Sequence, residues 1–389
     1  MSLTDYVIMP GEDYQNICDA IRTKTGKTDV IKSGDLVTEF NIAIENNNSN
    51  SEMSTAFIDG SITSISNDKA TAITDYAFYH QSNLISADFS AATSVEQYAF
   101  SGCTSLTSVD LPVAINIGYS AFYGCTNLTN ITIPDSVTSI GRQAFFGCTG
   151  LTDVYYTGDA DSWNGISFGD SSSNPIYYAD NLYFNGELVK DVVLSDSVTS
   201  VNTYTFQNYV GLTSIAGNNV TSIGRYTFRD CTGLTSVNFP TVTNVEGYAF
   251  YDCTSLTTVN FPAVTNVEGY AFYLCESLAN VNFPALKTIS GYYAFKGCKA
   301  LTTIDLPSVT SIGNSAFYDC TSLSTLILRS TTMCTLNATN IFTNTQIASG
   351  TGYIYVPSAL VDTYKTATNW VTYADQFRAI EDYPDITGG

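Results

Sequence analysis

Apolar and polar positions alternate along this chain in short blocks that return at a fixed interval. Phenylalanine recurs at Phe78, Phe100, Phe122, Phe145, Phe206, Phe228, Phe250, Phe272, Phe295 and Phe317, in steps of 22 or 23 residues broken by one gap of 61. The stretches 237–253 and 259–275 are nearly identical. Each interval reads as three short sides. In the stretch from Leu128 to Pro134, Ile131 and Ile133 have strand spacing, and Pro134 ends the ladder. Val137 to Ile140 forms a second extended side. Ala144 to Cys148 reads as a tight helical turn that closes the coil. The predicted inward set is Leu128, Ile131, Ile133, Val137, Ile140, Ala144, Phe145 and Cys148. One turn cannot bury these alone, whereas stacked turns bury them against one another.

The two ends break the pattern. Residues 351–380 predict a strand, a stop at Pro357 and a helix capped by Ser358, a terminal unit covering the last open core. In residues 1–47, Tyr14, Ile17, Cys18 and Ile21 share one helical face, and Leu36, Val37, Phe40 and Ile44 form the stripe of a second helix that Ser33 caps. Two such helices are too small to stand alone. The domain organisation is therefore a helical attachment or capping segment at 1–47, a polar linker at 48–56, repeats over 57–335 and a C-terminal α/β cap at 336–389. An island at about 155–190 interrupts the repeats, and Tyr209 stands where the resumed repeat would carry cysteine.

The repeat resembles the BspA-like, or Treponema-type, bacterial leucine-rich repeat family. The resemblance implies a curved right-handed β-solenoid with short strands and short helical turns, acting in adhesion and protein recognition. Trp163 and the segment Asn174–Tyr183 resemble an insert that recurs in that family. The segment from Ile17 to Asp35 resembles an element of phage tail and prophage structural proteins. That second likeness implies a tail-associated, host-binding component carried in the virion. The alternative is a cell-surface or secreted adhesin of the BspA-like type.

Composition narrows the class. Net charge is −21, which disfavours nucleic acid and anionic membranes as partners. No apolar run approaches the ~20 residues of a membrane span. The start, Met1 to Tyr6, lacks a basic region and an apolar core, so a signal peptide of the usual kind is not expected.

Catalytic chemistry is sparse. The single histidine, His80, falls on an outward position and reads as a solvated side chain. Asp159 and Asp161 beside Trp163 form the only tempting carboxylate pair, and a solvated loop explains them better than a glycan-cleaving site. Phosphate-binding loops, metalloprotease helices and nucleophile elbows are absent. No catalytic, cofactor or metal residue is assigned. Eight of ten cysteines, at positions 103, 125, 148, 231, 253, 275, 298 and 320, lie three residues after an anchor Phe. Rungs ~4.8 Å apart allow a disulfide by distance. One rotamer repeated along a row would instead keep the sulfurs parallel, and buried reduced thiols are expected.

Two outward surfaces are candidates for binding. One is the strand row with Asn238, Asn260 and Asn282. The other is a band flanking the anchors: Tyr79, Tyr123, Arg229, Tyr248, Tyr251, Tyr270, Tyr273 and Tyr318. Tyrosine, arginine and asparagine suit adaptable recognition. The position after each Phe varies most, through Tyr79, Ser101, Tyr123, Phe146, Gln207, Arg229, Tyr251, Tyr273, Lys296 and Tyr318. The sequence therefore points to a non-enzymatic recognition protein. Its expected partners are a protein or glycan on a bacterial or host surface, with tail proteins engaged through residues 1–47 and self-association left open.

Overall fold

A computed structural model of the chain describes residues 62–387. The helices expected in residues 1–47, the linker at 48–56 and the first repeat positions at 57–61 lie outside the described residues. Two compact units are present, one ending at Leu151 and one beginning at Thr152.

The first unit is a coil of short parallel strands. Ser64–Ser66, Ser86–Asp88 and Ser108–Asp110 pair on one side with a 22-residue register, Ser64 opposite Ser86. Ala72–Ile73, Ser94–Val95, Asn116–Ile117 and Ser139–Ile140 pair on the second side. The third side consists of successive tight turns, in which Phe146 N–H donates to Gln143 O and Cys148 N–H to Phe145 O. The whole predicted inward set, from Leu128 through Cys148, is buried. Alternation decides this: in Ser86–Asp88 and Ser108–Asp110 the middle residue is buried in the core while its neighbours face out.

The second unit repeats the plan. Asp191–Val193, Ser214–Ala216, Ser236–Asn238, Thr258–Asn260 and Asn280–Asn282 form one parallel sheet. Seven two-residue strands, from Ser200–Val201 to Thr335–Leu336, form another. Its outer edge carries a threonine ladder. Thr221, Thr243 and Thr265 each donate the hydroxyl to the threonine carbonyl one rung earlier, at 3.0, 3.1 and 3.1 Å.

Each unit is held by a stack of phenylalanine rings. In the first, Phe78, Phe100, Phe122 and Phe145 lie 5.0–5.3 Å apart and within 9° of parallel. In the second, the rings run from Phe206 through Phe317 and continue to Phe342, which lies 5.7 Å from Phe317 and was not among the sequence anchors. Beside each stack runs the cysteine column. Every one of the eight thiols donates to the carbonyl of the anchor Phe one repeat earlier, at 3.0–3.2 Å. All eight are free and buried. Each thiol makes the same contact one rung earlier and none is bridged, as the parallel-row reading of the cysteines expects.

The island is itself a turn of the second unit's coil. Asp153–Tyr156 pairs in parallel with Asn181–Phe184, and a left-handed Asn185–Gly186 turn folds Glu187–Leu188 back against it. Trp163 is fully buried, and its indole N–H donates to Thr205 O at 2.9 Å. Asn174 donates to Tyr204 O and Thr205 O. The island thereby covers the Phe206 turn. Lacking an anchor Phe before it, that turn carries Tyr209, whose hydroxyl donates to Val189 O. The larger ring fills the slot that a thiol occupies elsewhere.

The expected cap at the C-terminal end differs in one detail. Tyr353–Val356 is a strand, but Ser358 caps no helix. Pro357 starts a 3-10 turn at Ser358–Leu360, and the helix follows at Val361–Thr366 without a side-chain cap. The Ser358 N–H instead donates to Glu381 Oε2 at 2.9 Å. Buried Trp370 donates its indole N–H to Cys334 O, and the Tyr364 hydroxyl accepts from Cys334 N. These bonds seal the polar groups of the last turn.

Phe250→Ala removes a ring stacked on both faces and should cost about 3–5 kcal/mol in urea titration. A loss below ~1 kcal/mol would contradict the stack. For the thiols, burial pushes Cys103 and Cys148 up from 9.0 to about 12. The folded state then holds protons that the unfolded chain releases, so stability is intact below pH 9 and falls as pH rises toward 12. Alkylation without reductant should label all eight only after denaturation. The Cys103→Ala, Cys148→Ala double variant should show a shallower alkaline decline, by up to about 1.4 kcal/mol per pH unit for each thiol removed. An unchanged slope would remove the thiols as its source.

Candidate recognition surface

Backbone geometry at the turns decides which side chains face out. The residue two before each anchor Phe is left-handed, with φ 57° at Tyr226, 62° at Tyr248 and 60° at Tyr270. So is the residue two after it, with φ 60° at Asp230, 58° at Asp252 and 57° at Leu274. Left-handed backbone costs a non-glycine residue roughly 1–2 kcal/mol. Something must offset that cost at the tyrosines, and ring stacking is the visible interaction. Tyr204, Tyr226, Tyr248 and Tyr270 form a ladder with centroids 5.5, 4.9 and 4.6 Å apart. Such pairs contribute ~0.5–1.5 kcal/mol each beyond area burial.

A second row stands beside the ladder. Tyr251 stacks on Tyr273 at 4.7 Å and 8°. Cations lie over both rows. The Arg229 guanidinium sits 5.2 Å from the Tyr251 ring and 5.9 Å from Tyr226. Lys296 sits 5.0–5.4 Å from Tyr273, Tyr293 and Tyr318. The predicted residues Arg229, Tyr248, Tyr251, Tyr270, Tyr273 and Tyr318 thus belong to one contiguous patch of the second unit, all half-buried. Arg225, which the sequence reading did not single out, joins it 5.4 Å from Tyr226 and 5.8 Å from Tyr248. Its signal was available: the equivalent position one repeat on is Gly247, and the Arg225 side chain lies beside the space that glycine leaves.

The patch is electrically mixed. Arg229 pairs with Asp230 at 3.1 Å and Lys299 with Glu276 at 2.7 Å. Burial raises the Asp230 carboxyl above its ordinary range, with Arg229 opposing the shift. Burial likewise raises Asp252, and the nearby Glu276 charge adds to it. Because the tyrosine rings cover each other's faces, a partner meets ring edges, phenol hydroxyls and the cationic groups.

The remaining candidates fall elsewhere. Tyr79 and Tyr123 are in the first unit, half-buried and exposed respectively. Asn238, Asn260 and Asn282 are exposed on the strand face, where the Asn282 amide donates to Asn260 Oδ1 at 2.8 Å. Two members of the variable row do not face solvent. Ser101 and Gln207 are 3% and 1% exposed. The island turn packed on the Phe206 repeat accounts for Gln207, a covering that no repeat alignment within the sequence would disclose.

The tempting carboxylates have structural work. Asp159 is exposed, as expected, but it stands at a helix start and not in a plain loop: it caps the helix Ala160–Gly165 in a reciprocal capping box with Ser162. The Ser162 N–H and hydroxyl hold the Asp159 carboxyl below its ordinary range. Asp161 accepts from Ser195 N at 3.0 Å. Trp163 is buried, so no sugar can stack on it. His80 is exposed, with Tyr79 4.3 Å away. Among the described residues no group of His, Cys, Asp or Glu could hold a metal, and no helix is long and apolar enough to cross a membrane.

Stacked parallel strands, a phenylalanine spine and an outward aromatic band define a leucine-rich-repeat β-solenoid. The model of the BspA type leucine rich repeat region matches residues 71–184, 177–292 and 243–356, and the chain belongs to that family. A leucine-rich repeat protein from Bacteroides ovatus is similar at 24% identity and a TM-score of 0.50, over 82% of this chain and 83% of that one. One from Eubacterium ventriosum reaches 22% and 0.41, over 73% and 83%. A leucine rich cell surface protein from Faecalibacterium prausnitzii reaches 21% and 0.39, over 80% and 86%. No curated protein matches the sequence.

Asp159→Ala should lower stability by about 1 kcal/mol, the ordinary effect of losing a helix cap. Chemical denaturation reads it, and an unchanged midpoint would mean the capping box carries no weight.

Proposed function

We propose that this chain is a non-enzymatic recognition protein that works at a bacterial surface or in the extracellular space. It captures a partner protein through the aromatic and cationic patch of Tyr226, Arg229, Tyr248, Tyr251, Tyr273 and Lys296. The observation that carries this reading is the double row of stacked tyrosines with three cations laid over it. Aromatic and arginine side chains are the usual anchors of protein interfaces. Pre-stacked rings also lose little freedom on binding. Leucine-rich repeat proteins generally bind proteins, and the family match is to a repeat region with no reaction attached. The adhesin reading therefore suits the family better than the tail-component one. The latter rests on residues 17–35 alone, has no support from the family or the similar structures, and is not carried forward. Residues 1–47 remain, in this reading, a segment that attaches to a partner or covers the first repeat.

The test is capture of envelope proteins from a bacterial extract on immobilised protein. Replacing Arg229, Tyr251 and Tyr273 together by alanine should weaken capture at least tenfold, ~1.4 kcal/mol, with the circular dichroism spectrum unchanged. The Asn238→Ala, Asn260→Ala, Asn282→Ala variant should capture as the parent does. The reverse result would move recognition to the strand face.

A further inference from the structure

In the second unit two rows of side chains fill the surface beside the anchor phenylalanines. From Phe206 to Phe272 tyrosines occupy the position two before each anchor, and Asn208, Asp230, Asp252 and Leu274 occupy the position two after. The first unit lacks bulk in both rows over the same rungs. Ser120 and Gln143 stand where the ladder of Tyr76 and Tyr98 would continue, and Gly102, Gly124 and Gly147 stand in the other row. With φ of 76° and 71°, Gly102 and Gly124 adopt the left-handed backbone that the row demands. A Cβ placed on Gly124 would meet nothing within 4 Å. The gaps leave a groove of about 380 Å³, walled by Tyr79, His80, Tyr98, Ser120, Tyr123 and Gln143, with the His80 ring over Gly102 and open space beside Gly124. Its volume falls in the usual range of small-molecule sites.

We propose that this groove binds a neutral saccharide, at a site separate from the protein-capturing patch. The chemistry of the lining selects the ligand. In a chain of net charge −21, no Asp, Glu, Lys or Arg lines the groove. A polyanion finds no cation there, and a polycation finds no carboxylate. A wholly apolar ligand would cover the exposed Thr104 hydroxyl and the half-buried Gln143 side chain, which costs free energy. An extended peptide needs open backbone groups to pair with, but Gly102 N–H is committed to Tyr123 O at 2.7 Å and Gly124 N–H to Phe146 O at 2.8 Å. A sugar ring offers C–H faces to aromatic rings and hydroxyls to phenols, amides and serines. The aromatic rings suit that partner. Tyr98 stacks on Tyr76 at 13° and Tyr123 on Phe146 at 21°, but Tyr79 stands at 89° to Tyr98 and the small Ser101 separates Tyr79 from Tyr123 along their row, so the run of stacked rings is interrupted at the groove. Tyr123 is 39% exposed.

The experiment is isothermal titration of the full chain with four neutral hexasaccharides: β-1,4-linked glucose, xylose, mannose and N-acetylglucosamine oligomers. At least one should bind with Kd tighter than about 1 mM. Gly124→Asn fills the groove with a residue that tolerates left-handed backbone, and it should weaken that binding at least tenfold. Tyr123→Ala should do the same without touching the backbone. The Arg229, Tyr251, Tyr273 triple alanine variant should titrate like the parent. No heat from any of the four sugars would overturn the proposal, as would parental affinity in both groove variants. Loss of sugar binding in the triple variant would overturn it too, by placing the sugar on the other patch. A blank titration alongside intact envelope-protein capture removes the saccharide site alone, so the two readings fail separately.

Discussion

Everything in this protein depends on the hydrogen-bonded spacing between adjacent rungs. In the regular turns parallel strands pair with a register of 22 or 23 residues, and at the third side nine of the ten anchor Phe N–H groups donate to the carbonyl one repeat on, as Phe228 does to Ala249 O at 2.8 Å and Phe250 to Ala271 O at 2.8 Å. Once that spacing is imposed, any side chain repeated at one position becomes a column with a pitch near 5 Å. A phenylalanine column at this pitch is a stack of rings in van der Waals contact, and the observed 5.1 Å between Phe250 and Phe272 is such a contact. The same pitch lets a thiol reach the carbonyl of the rung before it. Core packing and polar satisfaction are therefore solved once per turn and copied.

Copying explains how much was legible in the sequence. The inward positions from Leu128 to Cys148 obey one rule, so their period was visible, and the structure buries every one. The reduced thiol row followed from the same logic of identical rotamers. What escaped notice breaks the copying. Ser101 and Gln207 sit in a row that faces outward elsewhere, yet both are buried; for Gln207 the cause is a non-repeating turn from the island packed above it. Ser358 looked like a helix cap by type, but Pro357 launches a 3-10 turn first. Asp159 and Asp161 read as loop carboxylates because a six-residue helix is too short to show a period. Arg225 escaped because its importance lies in the glycine of the next repeat, a relation across rungs.

The outward rows carry a tension that the inward ones lack. Left-handed backbone at the position two before each Phe favours glycine, asparagine or aspartate, yet tyrosine occupies it at seven turns from Tyr76 to Tyr293. Neighbouring rungs make this tolerable, since each ring gains a stacked partner only if the next turn also carries one. The row two after the anchor, where side chains do not stack, reverts to Gly, Asn and Asp at most turns. Aromatic content in the band is thus cooperative: a run of tyrosines sustains itself, and a break in the run lowers the gain for its neighbours.

That cooperativity gives the surface two states from one scaffold. Where the run is unbroken, as from Tyr204 to Tyr270, ring faces are spent on each other, and the surface offers edges, hydroxyls and the cations that lie over them. Such a surface is firm and amphipathic, and its mixed charges, Arg229 against Asp230 and Lys299 against Glu276, favour a partner with a complementary pattern of its own. Where the run breaks at Ser120, the ladder of Tyr76 and Tyr98 ends and the Gly124 backbone lies open beside it. A single substitution in the repeat therefore changes the kind of chemistry displayed, not only its strength, while the Phe and Cys columns beneath need not move. A repeat solenoid can in this way alter what it recognises one rung at a time, because the backbone hydrogen bonds that set the pitch are indifferent to what stands outside them.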